Sequence, residues 1–430
     1  MLAGVRDQYG AGRVNKRCYP LNAQFRRSEV GRSRLPLKSG SARRRRHDRE
    51  RHILNQATLT EADETYLERT LELAERGRGL TSPNPVVGAV VVDANGEVIG
   101  EGYHHAYGAP HAERVAIESC SKDTTGGTIY VSLEPCAHHG KQPPCTDAII
   151  DAGLARVVYA SDDPTEKASG RGPGMLRDEG IEVVAAQGEI AAKARMINQP
   201  FRKHAKTGRP HVLFKSAQTL DGKVATATGD SQWISSEASR ELAHRFRAEA
   251  DAIAVGIGTA LADDPQLTAR IEGIGIERQP TRVVFDSEAR LPVDSHLVQS
   301  AREVPLVVVA SRAAPREALA SLEALDVDVI VASGENEAAR VVSALNELGQ
   351  REIQSLLLEG GPHLAGAFFE AGEVDWLTLF LAPMVLGGKQ ARASVEGSGV
   401  EKVADGYQAL RMQCNRIGED MLITAWMREW

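Results

Sequence analysis

The feature that most restricts the fold of this chain is a set of three potential metal ligands in its first half, His111, Cys136 and Cys145. One imidazole and two thiolates can bind a zinc ion and leave its fourth coordination position open. The chain must then bring three separate segments to one point. Glu113 follows His111 by two residues and would lie beside the metal, where a carboxylate can transfer protons. The pattern therefore predicts a catalytic zinc centre with Glu113 as its proton shuttle.

His-x-Glu followed by Pro-Cys and a second Cys is typical of zinc-dependent nucleobase deaminases, which remove an exocyclic amine by hydrolysis. Zinc lowers the pKa of bound water to roughly 7, so hydroxide forms at neutral pH. Here eight residues, 137–144, separate the two Cys, whereas the usual motif has two. A purely structural zinc site is the alternative, but such sites usually have four protein ligands. Chance placement of core residues is a weaker explanation, because the groups come in the expected order.

Charge divides the chain into a basic first segment and an acidic remainder. Residues 1–52 contain 15 Lys and Arg against 4 Asp and Glu, and the rest contains 36 basic and 54 acidic residues. The acidic body argues against a nucleic acid partner. Residues 1–57 lack apolar periodicity and are predicted to be a disordered basic extension. They have no secretory apolar core; a transit peptide is one interpretation, and an extension without a role, from a misassigned start, is favoured.

The cysteines and the apolar runs bear on the compartment. An odd number of widely scattered cysteines argues against a disulfide framework and favours a reducing compartment. No apolar run reaches the roughly 18 residues that a membrane span needs. We therefore expect a cytoplasmic protein with no membrane partner. The five cysteines are Cys18, Cys120, Cys136, Cys145 and Cys414.

Residues 58–190 show interleaved helical and strand patterns, which predict an α/β domain. Thr60 precedes apolar positions at helical spacing and is a predicted N-cap. Strands are predicted near residues 86–92, 98–103, 128–133 and 157–160. The metal ligands are predicted at helix starts, where the positive helix end stabilises thiolates.

Residues 191–209, which have a helical or linker-like pattern, are predicted to be a linker, and residues 210–430 are predicted to be a second α/β domain. Its strands are predicted at residues 212–217, 252–256, 281–286, 306–310, 327–332, 355–358 and 376–381, and its helices at residues 236–250, 316–325, 337–348 and 362–371. A dinucleotide fingerprint that starts at Gly256 fails at Leu261, where the third Gly belongs. Gly360-Gly361-Pro362, between a strand and a helix, could offer backbone N–H groups to a phosphate, or could be an ordinary turn.

Together these motifs resemble the family of bifunctional riboflavin-biosynthesis deaminase/reductases, over about residues 58–425. In the first half the resemblance rests on Pro83-Asn84-Pro85-Val86-Val87-Gly88, on His111-Ala112-Glu113 and on the run from Glu134 to Cys145 with its long Cys spacing. In the second half it rests on residues 215–223, 233–235, 258–259, 263–270, 285–287, 358–362 and 386–388. It implies an N-terminal cytidine-deaminase-like α/β/α domain and a C-terminal dihydrofolate-reductase-like α/β domain.

The resemblance implies two successive reactions on one phosphorylated pyrimidine substrate. A phosphoribosylated diaminopyrimidinone would lose a ring amine at one zinc ion, and NADPH would then reduce the ribosyl group to ribityl. Family members form homo-oligomers, so a dimer or tetramer is expected. An RNA-base deaminase fused to an unrelated domain is the competing class, but the long Cys spacing and the acidic body disfavour it.

Residue roles follow from the same resemblance. Zinc would be bound by His111, Cys136 and Cys145, with Glu113 catalytic. The deaminase substrate would contact Asn84, His104, Lys141 and Asp163. The reductase substrate would contact Ser231, Arg247, Leu267, Arg270 and Glu359. NADPH would contact Ala217, Trp233, Thr259, Asp263, Ser287, Gly361, Pro362, His363, Leu364, Ala365, Gly366 and Ala367.

Some of these roles have a physical rationale. Lys141 and His104 could meet a phosphate, and the guanidinium groups of Arg247 and Arg270 suit phosphate binding. Asp263 or Glu359 could assist proton movement. One departure stands out: Thr165 follows Asp163-Pro164 where the family commonly has Asn, which leaves one substrate contact open.

Overall fold

The computed structural model describes residues 59–166, 168–271 and 278–430. The predicted disorder of residues 1–57 lies outside these residues. Within them, one five-stranded sheet is formed by residues 88–185 and one nine-stranded sheet by residues 211–426. The two predicted α/β domains are therefore confirmed in sequence order.

The first sheet has the strand order β2-β1-β3-β4-β5. Pairs β1–β2 and β1–β3 are antiparallel, and pairs β3–β4 and β4–β5 are parallel. The strands are β1 (Gly88–Val92), β2 (Val98–Tyr103), β3 (Thr128–Val131), β4 (Arg156–Tyr159) and β5 (Glu182–Ala185). The first four helices are α1 (Glu61–Glu75), α2 (Ala112–Glu118), α3 (Cys145–Asp151) and α4 (Arg171–Asp178).

Helices cover both faces of this sheet. On one face Leu67 and Leu71 of α1 pack with Val90 of β1. On the other face Ala116 of α2 and Ile149 of α3 pack in a second core. All five residues of β1 are buried as a result, as in a strand covered on both sides. The expected α/β/α layering of the first domain is confirmed.

Helix α1 begins where the sequence predicts. The Thr60 side chain accepts a hydrogen bond from the Asp63 backbone N–H (3.1 Å), and Asp63 Oδ2 accepts one from the Thr60 N–H (2.9 Å). This reciprocal capping box satisfies two of the helix's free donors. Strand β1 starts at Gly88, two residues later than predicted, and a Cβ at Gly88 would collide with the carbonyl oxygen of Thr70 in α1. Glycine here lets the helix lie directly on the sheet.

The predicted linker, residues 191–209, consists of packed helix. Helix α5 (Gly188–Ile197) is followed at once by α6 (Gln199–Thr207). Lys203 of α6 is fully buried, and its Nζ lies 3.0 Å from Glu373 Oε2 and 2.7 Å from Asp375 Oδ2. Both carboxylates lie in the loop before a strand of the second sheet. The segment therefore packs against the second half of the chain, and this buried ion pair holds it there.

The second sheet has the order β11-β10-β9-β8-β12-β6-β13-β16-β15, with all pairs parallel except β13–β16 and β15–β16. The strands are β6 (His211–Thr219), β8 (Ala252–Gly256), β9 (Thr281–Phe285), β10 (Leu306–Ser311), β11 (Asp328–Ala332), β12 (Ser355–Leu358), β13 (Trp376–Ala382), β15 (Arg411–Ile417) and β16 (Asp420–Trp426). Two short strands, β7 (Lys223–Ala225) and β14 (Arg392–Ala393), pair separately. All seven predicted strands are present, and the β15–β16 hairpin was not predicted.

Six helices accompany this sheet: α7 (Glu237–Glu249), α8 (Ile257–Asp263), α9 (His296–Gln299), α10 (Arg316–Glu323), α11 (Glu337–Gln350) and α12 (Pro362–Glu370). Leu345 of α11 and Phe368 of α12 pack with Phe214 and Leu356 in one core. Leu297 of α9 and Leu322 of α10 pack with Ile253 and Val308 in a second core. The parallel strands are buried between these layers. Among the described helices, none combines the length and apolar character that crossing a membrane requires.

Candidate functional site

The three predicted zinc ligands converge. Their possible ligand atoms all lie within 4.8 Å of one another. His111 Nδ1 is 3.3 Å from Cys145 Sγ and 3.6 Å from Cys136 Sγ. His111 is the N-cap of α2 and Cys145 is the first residue of α3, as predicted for helix starts. Cys136 lies instead in the loop after β3, and its Sγ accepts a hydrogen bond from the Cys145 backbone N–H (3.4 Å).

The geometry of these three groups fits zinc. Tetrahedral zinc, with bonds of about 2.3 Å to sulfur and 2.0 Å to nitrogen, separates its ligand atoms by roughly 3.5–3.8 Å. The measured 3.3 and 3.6 Å are close to that range. The hydrogen bonds that Cys136 forms with Cys145 and His111 lower the pKa of the Cys136 thiol, which favours binding of this sulfur as a thiolate.

Glu113 lies in the first turn of α2, and only 3 % of it is exposed. Burial raises the pKa of its carboxyl above the ordinary value. A raised pKa makes the carboxylate a stronger base, which favours uptake of a proton from a water beside the metal. Glu113 lines the same cavity as His111 and Cys136, so the expected proton shuttle has access to the metal site.

This cavity, which we call the deaminase cavity, has a volume of about 330 Å³. Four residues predicted to contact the substrate line it, namely Asn84, His104, Lys141 and Asp163. The other lining residues relevant here are Tyr107, Glu134, Gln142, Thr165 and Phe201. Residues from five separate stretches of sequence therefore meet around the zinc ligands.

His104 is fixed by two hydrogen bonds. Its Nδ1 donates to the Pro110 carbonyl (3.0 Å), and its Nε2 accepts from the Asn84 side-chain amide (3.1 Å). His104 is 2 % exposed, and this burial lowers the pKa of its ring. The ring is therefore neutral. It forms part of the cavity wall and accepts the hydrogen bond that fixes the Asn84 side chain. Of His104 and Lys141, the two residues predicted to meet a phosphate, Lys141 is therefore the one that carries a positive charge.

Lys141 is exposed at the cavity, and its Nζ lies 3.7 Å from the centre of the Tyr107 ring. A cation over an aromatic face is held without an opposing carboxylate, so its charge stays available to an anion. Gln142 Nε2 donates to the Gly108 carbonyl (2.9 Å), which ties the loop between the two Cys to the loop that carries Tyr107. The inserted residues between the cysteines thus form a cationic wall of the cavity.

Asp163 and Thr165 form a tight turn at the cavity. Asp163 Oδ1 accepts from the Thr165 backbone N–H (2.8 Å) and from the Thr165 hydroxyl (2.7 Å). Burial raises the pKa of the Asp163 carboxyl, although these hydrogen bonds oppose the shift. The threonine that departs from the family pattern therefore orients the aspartate.

Sequence reasoning missed three residues of the cavity. Phe201 comes from α6, within the predicted linker, and no local pattern indicates that it would reach the site. Tyr107 carries no signal apart from its position before the metal-binding segment. Glu134, in the Glu-Pro-Cys segment, accepts a hydrogen bond from the Gly170 N–H (2.6 Å) and could have been suspected from that motif.

In the second domain, the predicted cofactor and substrate residues gather at the carboxyl ends of neighbouring parallel strands. Ala217 lies in β6, Thr259 follows β8, Ser287 follows β9 and Glu359 follows β12. These four strands are adjacent in the order β9-β8-β12-β6. Ligands of open α/β sheets bind at this edge.

Arg247 and Glu359 form a two-bond ion pair in this region. Arg247 Nε donates to Glu359 Oε1 (3.1 Å), and Nη2 donates to Oε2 (2.6 Å). Burial disfavours the charged form of Glu359, but Lys215 and Arg247 outweigh it and hold the pKa of the carboxyl at about 2. Glu359 is thus a carboxylate at neutral pH. The sequence suggested that Arg247 would be free to bind a phosphate. In the structure its guanidinium group is instead paired with the Glu359 carboxylate.

The remaining predicted residues of this region differ in exposure. Trp233 is 67 % exposed, with Arg240 Cζ 4.7 Å from its ring centre. Arg270 is exposed and donates to Gln266 Oε1 (2.7 Å). Leu267 is buried. Asp263 ends α8 on the surface, and Ser231 is half-buried.

The predicted cofactor run from Gly361 to Ala367 is the start of α12, and most of its side chains point into the core. Leu364, Ala365 and Ala367 belong to the main core cluster. Only Gly361 and the exposed His363 are open to solvent, and His363 Nε2 is paired with Glu337 Oε1 (3.0 Å). Thr259 Oγ1 would lie 3.2 Å from a Cβ at Gly361, so these two turns are in close contact. The backbone N–H groups of this first turn are what a phosphate could reach.

Two family models match the chain. Residues 60–161 match the cytidine and deoxycytidylate deaminase zinc-binding region, and residues 210–423 match the RibD C-terminal domain. The first match includes strands β1 to β4, the three predicted zinc ligands and Glu113, and the second includes the nine-stranded sheet up to residue 423.

Curated relatives align over most of the chain. The riboflavin biosynthesis protein RibD of Actinobacillus pleuropneumoniae is 40 % identical over 366 residues, which is 85 % of this chain and 95 % of that protein. RibD of Escherichia coli (strain K12) is 38 % identical over 84 % of this chain and 98 % of its own length.

Solved structures agree with these matches. Acinetobacter baumannii RibD, form 1, superimposes with a TM-score of 0.75 at 33 % identity and covers 85 % of this chain and 99 % of its own. A diaminohydroxyphosphoribosylaminopyrimidine deaminase/5-amino-6-(5-phosphoribosylamino)uracil reductase from Thermotoga maritima gives a TM-score of 0.73 at 33 % identity, over 85 % of this chain and 98 % of its own.

Proposed function

The chain belongs to the RibD family of riboflavin biosynthesis proteins, a family of bifunctional deaminase/reductases, and we propose that its two domains act in succession on one phosphorylated pyrimidine. The deaminase would comprise residues 58–190 and the reductase residues 210–430, joined by residues 191–209. The observation that carries the proposal is the deaminase cavity, where the zinc ligands and Glu113 meet Asn84, Lys141 and Asp163.

The first reaction is hydrolysis of a phosphoribosylated diaminopyrimidinone. A zinc ion held by His111, Cys136 and Cys145 would supply an activated water at neutral pH. Glu113 takes a proton from this water and passes it to the ring nitrogen beside the attacked carbon; it later moves the remaining proton of the added hydroxyl group to the departing amine. The carbon–nitrogen bond breaks, ammonia leaves and a ring carbonyl remains. The burial of Glu113 supports this role, because it raises the pKa of the carboxyl and so favours acceptance of a proton.

Different residues of the cavity are suited to bind different parts of the substrate. Lys141 is the cation that meets the substrate phosphate, since its ammonium group rests on Tyr107 with its charge uncompensated. Asn84 and neutral His104 hydrogen-bond the sugar or base edge. Asp163, oriented by Thr165, offers its second oxygen to a donor on the substrate.

In the second reaction, NADPH would supply a hydride to C1 of the ribosyl group; the bond between C1 and the ring oxygen breaks, and that oxygen takes up a proton from solvent, which gives the ribityl chain. NADPH would lie along the carboxyl ends of β6, β8 and β9 and on the first turn of α12, in contact with Ala217, Trp233, Thr259, Asp263, Ser287 and the segment from Gly361 to Ala367. The buried side chains of that segment restrict its contribution to backbone N–H groups, Gly361 and the exposed His363. The substrate would contact Ser231, Arg247, Leu267, Arg270 and Glu359.

Within the reductase site, the ion pair between Arg247 and Glu359 gives Arg247 and Arg270 different roles. Arg270, on the surface, is the better placed to bind the substrate phosphate. Arg247 is held by Glu359 and presents its remaining N–H groups in a fixed direction. A carboxylate with a pKa of about 2 is a poor proton donor, so Glu359 serves as a hydrogen-bond acceptor.

We also propose that the protein is a cytoplasmic homo-oligomer, a dimer or tetramer. All four cysteines in the described ranges carry free thiols, which fits a reducing compartment. Leu410 and Met412, beside and within edge strand β15, are 65 % and 66 % exposed, and apolar groups on a sheet edge favour association with another subunit.

A coupled assay on the purified chain tests the proposal. With the phosphoribosylated diaminopyrimidinone, ammonia is expected without NADPH, and NADPH oxidation is expected once it is added. With the diaminopyrimidinone as substrate, the Glu113→Ala variant should show neither ammonia release nor NADPH oxidation. With the deaminated intermediate as substrate, the same variant should still oxidise NADPH. Ammonia without oxidation would contradict the reductase assignment, and no ammonia from zinc-loaded protein would contradict the deaminase substrate.

A further inference from the structure

Two residues outside the deaminase cavity hold the backbone segments that line it. Arg202 of α6 is 4 % exposed. Its Nη1 donates to the Asp162 carbonyl (2.8 Å) and its Nη2 to the Asp162 carboxylate (3.1 Å). Asp162 directly precedes Asp163, so Arg202 fixes the position of a residue in the cavity wall.

The third contact of Arg202 reaches the second domain. Its Nε donates to the main-chain oxygen of Trp430 (2.7 Å), which follows strand β16 of the nine-stranded sheet. Gln199 of α6 accepts from the Trp430 N–H (2.8 Å), and the Trp430 indole donates to Asp375 (2.9 Å). Arg202 is therefore held between the cavity and the reductase domain. Its neighbour Phe201 lines the cavity itself.

Gln354 makes a second, independent contact from the reductase domain. It lies just before β12, is 5 % exposed, and its Nε2 donates to the Pro83 carbonyl (2.7 Å). Its backbone is fixed by Asp251 Oδ2, which accepts from the Gln354 N–H (2.9 Å), and by the His211 N–H, which donates to the Gln354 carbonyl (2.7 Å). Pro83 directly precedes Asn84, so a residue of the reductase sheet holds the other substrate-contacting turn.

From these contacts we infer that Arg202 and Gln354 are positioning residues of the deaminase, through which the reductase domain sets the geometry of Asn84, Asp163 and Phe201. This inference rests on the proposed deaminase function. Neither residue lines the cavity, so each acts only through the backbone it holds. Errors of an ångström in such groups reduce catalytic efficiency by up to about a hundredfold.

Steady-state deaminase kinetics on the full-length chain test the inference with Arg202→Met and Gln354→Leu. Each should raise the KM for the pyrimidine by about tenfold and change kcat by less than about threefold, since a binding wall is displaced while zinc and Glu113 stay in place. Zinc content and NADPH oxidation with the deaminated intermediate should match the wild type. Arg202→Lys, which keeps the charge without the planar fork, should give an intermediate KM.

Lys206→Met is the matched control, because Lys206 is an exposed cation on the same helix. It should leave both activities unchanged. A wild-type KM in both Arg202→Met and Gln354→Leu would overturn the inference, and so would a parallel fall of deaminase and reductase activity, which indicates general loss of structure. If the wild type itself releases no ammonia, the proposed function fails first, a result distinct from an unchanged KM in an active enzyme.

Discussion

Arg247 and Glu359 are 112 residues apart in sequence and form two charge-assisted hydrogen bonds between helix α7 and the end of strand β12. The side chains are 17 % and 9 % exposed. A paired guanidinium and carboxylate in such a site depend on one another, because either alone would be a poorly solvated charge. The pair therefore links the stability of the second domain to the geometry of its proposed substrate site.

Glu359→Gln is expected to destabilise the protein by about 3 kcal/mol at neutral pH, because Arg247 loses its buried counter-ion. The pKa of Glu359 is lowered from 4.5 to about 2, so its stabilisation is complete above about pH 4.5 and is lost as the pH falls towards 2. Urea unfolding of both proteins at pH 7 and pH 3 measures this. Glu347→Gln, on the exposed side of α11, is the control. A difference that does not shrink at low pH would contradict the ion-pair explanation.

Glu113→Gln should lower the deaminase kcat by about a thousandfold, because the amide cannot move protons. Zinc content should remain that of the wild type, since Glu113 is not a predicted ligand. Glu118→Gln, an exposed carboxylate at the end of the same helix, should retain full activity. Ammonia release and metal analysis on the three proteins provide the measurement. Substantial activity in Glu113→Gln would assign proton transfer to another group.

Cys145→Ser is expected to remove zinc and deaminase activity together, because a neutral hydroxyl replaces a thiolate ligand. Cys414→Ser changes an exposed cysteine on β15 and should keep one zinc per chain. Reductase activity with the deaminated intermediate should persist in both variants. Metal analysis after dialysis distinguishes them. Retention of zinc by Cys145→Ser would show that the three-residue site is wrongly assigned.

Thr165→Val removes the hydroxyl that donates to Asp163 Oδ1 while the backbone donor remains. The loss of one hydrogen bond, about 1 kcal/mol, predicts a deaminase KM raised by about fivefold. Thr165→Ser keeps the hydroxyl and should behave as the wild type. Initial rates over a range of substrate concentrations test both. A KM of Thr165→Val equal to that of the wild type would mean that the hydroxyl does not orient Asp163 for substrate binding.

Lys203→Met leaves Glu373 and Asp375 without the buried ammonium group that contacts both. A loss of about 3–5 kcal/mol in the free energy of unfolding is expected, as for other buried pairs deprived of one partner. Chemical denaturation of this variant beside Lys206→Met measures it. A loss under about 1 kcal/mol would indicate that Arg209, which also contacts Glu373, compensates alone.

The sequence predicts most of the strands that are covered on both faces, because such strands require continuous apolar runs, as in residues 88–92 and 306–310. It also predicts His111, Cys136 and Cys145 as zinc ligands, and the structure brings their possible ligand atoms within 4.8 Å of one another. The β15–β16 hairpin escapes prediction because β15 lies at a sheet edge and exposes Met412, Cys414 and Asn415, without an apolar run. Strand propensity alone is weak at such an edge.

Other parts of the site depend on tertiary packing and have no local signal. Phe201 reaches the deaminase cavity only because α6 is packed between the two sheets. The neutral state of His104 follows from burial, which lowers the pKa of its ring against the opposing hydrogen bond to the Pro110 carbonyl, whereas the sequence alone allowed a cationic partner for a phosphate. The pairing of Arg247 with Glu359 is likewise a contact that spacing cannot predict.

The buried Lys203 has a consequence for how such enzymes can be recombined. A chimera that joined the first 209 residues of one relative to the reductase of another would place this ammonium group against whatever occupies positions 373 and 375. Apolar residues there would strand a charge in the protein interior. The two catalytic halves therefore cannot be exchanged as independent modules, and a substitution at either end of this contact constrains the residues that evolution can accept at the other.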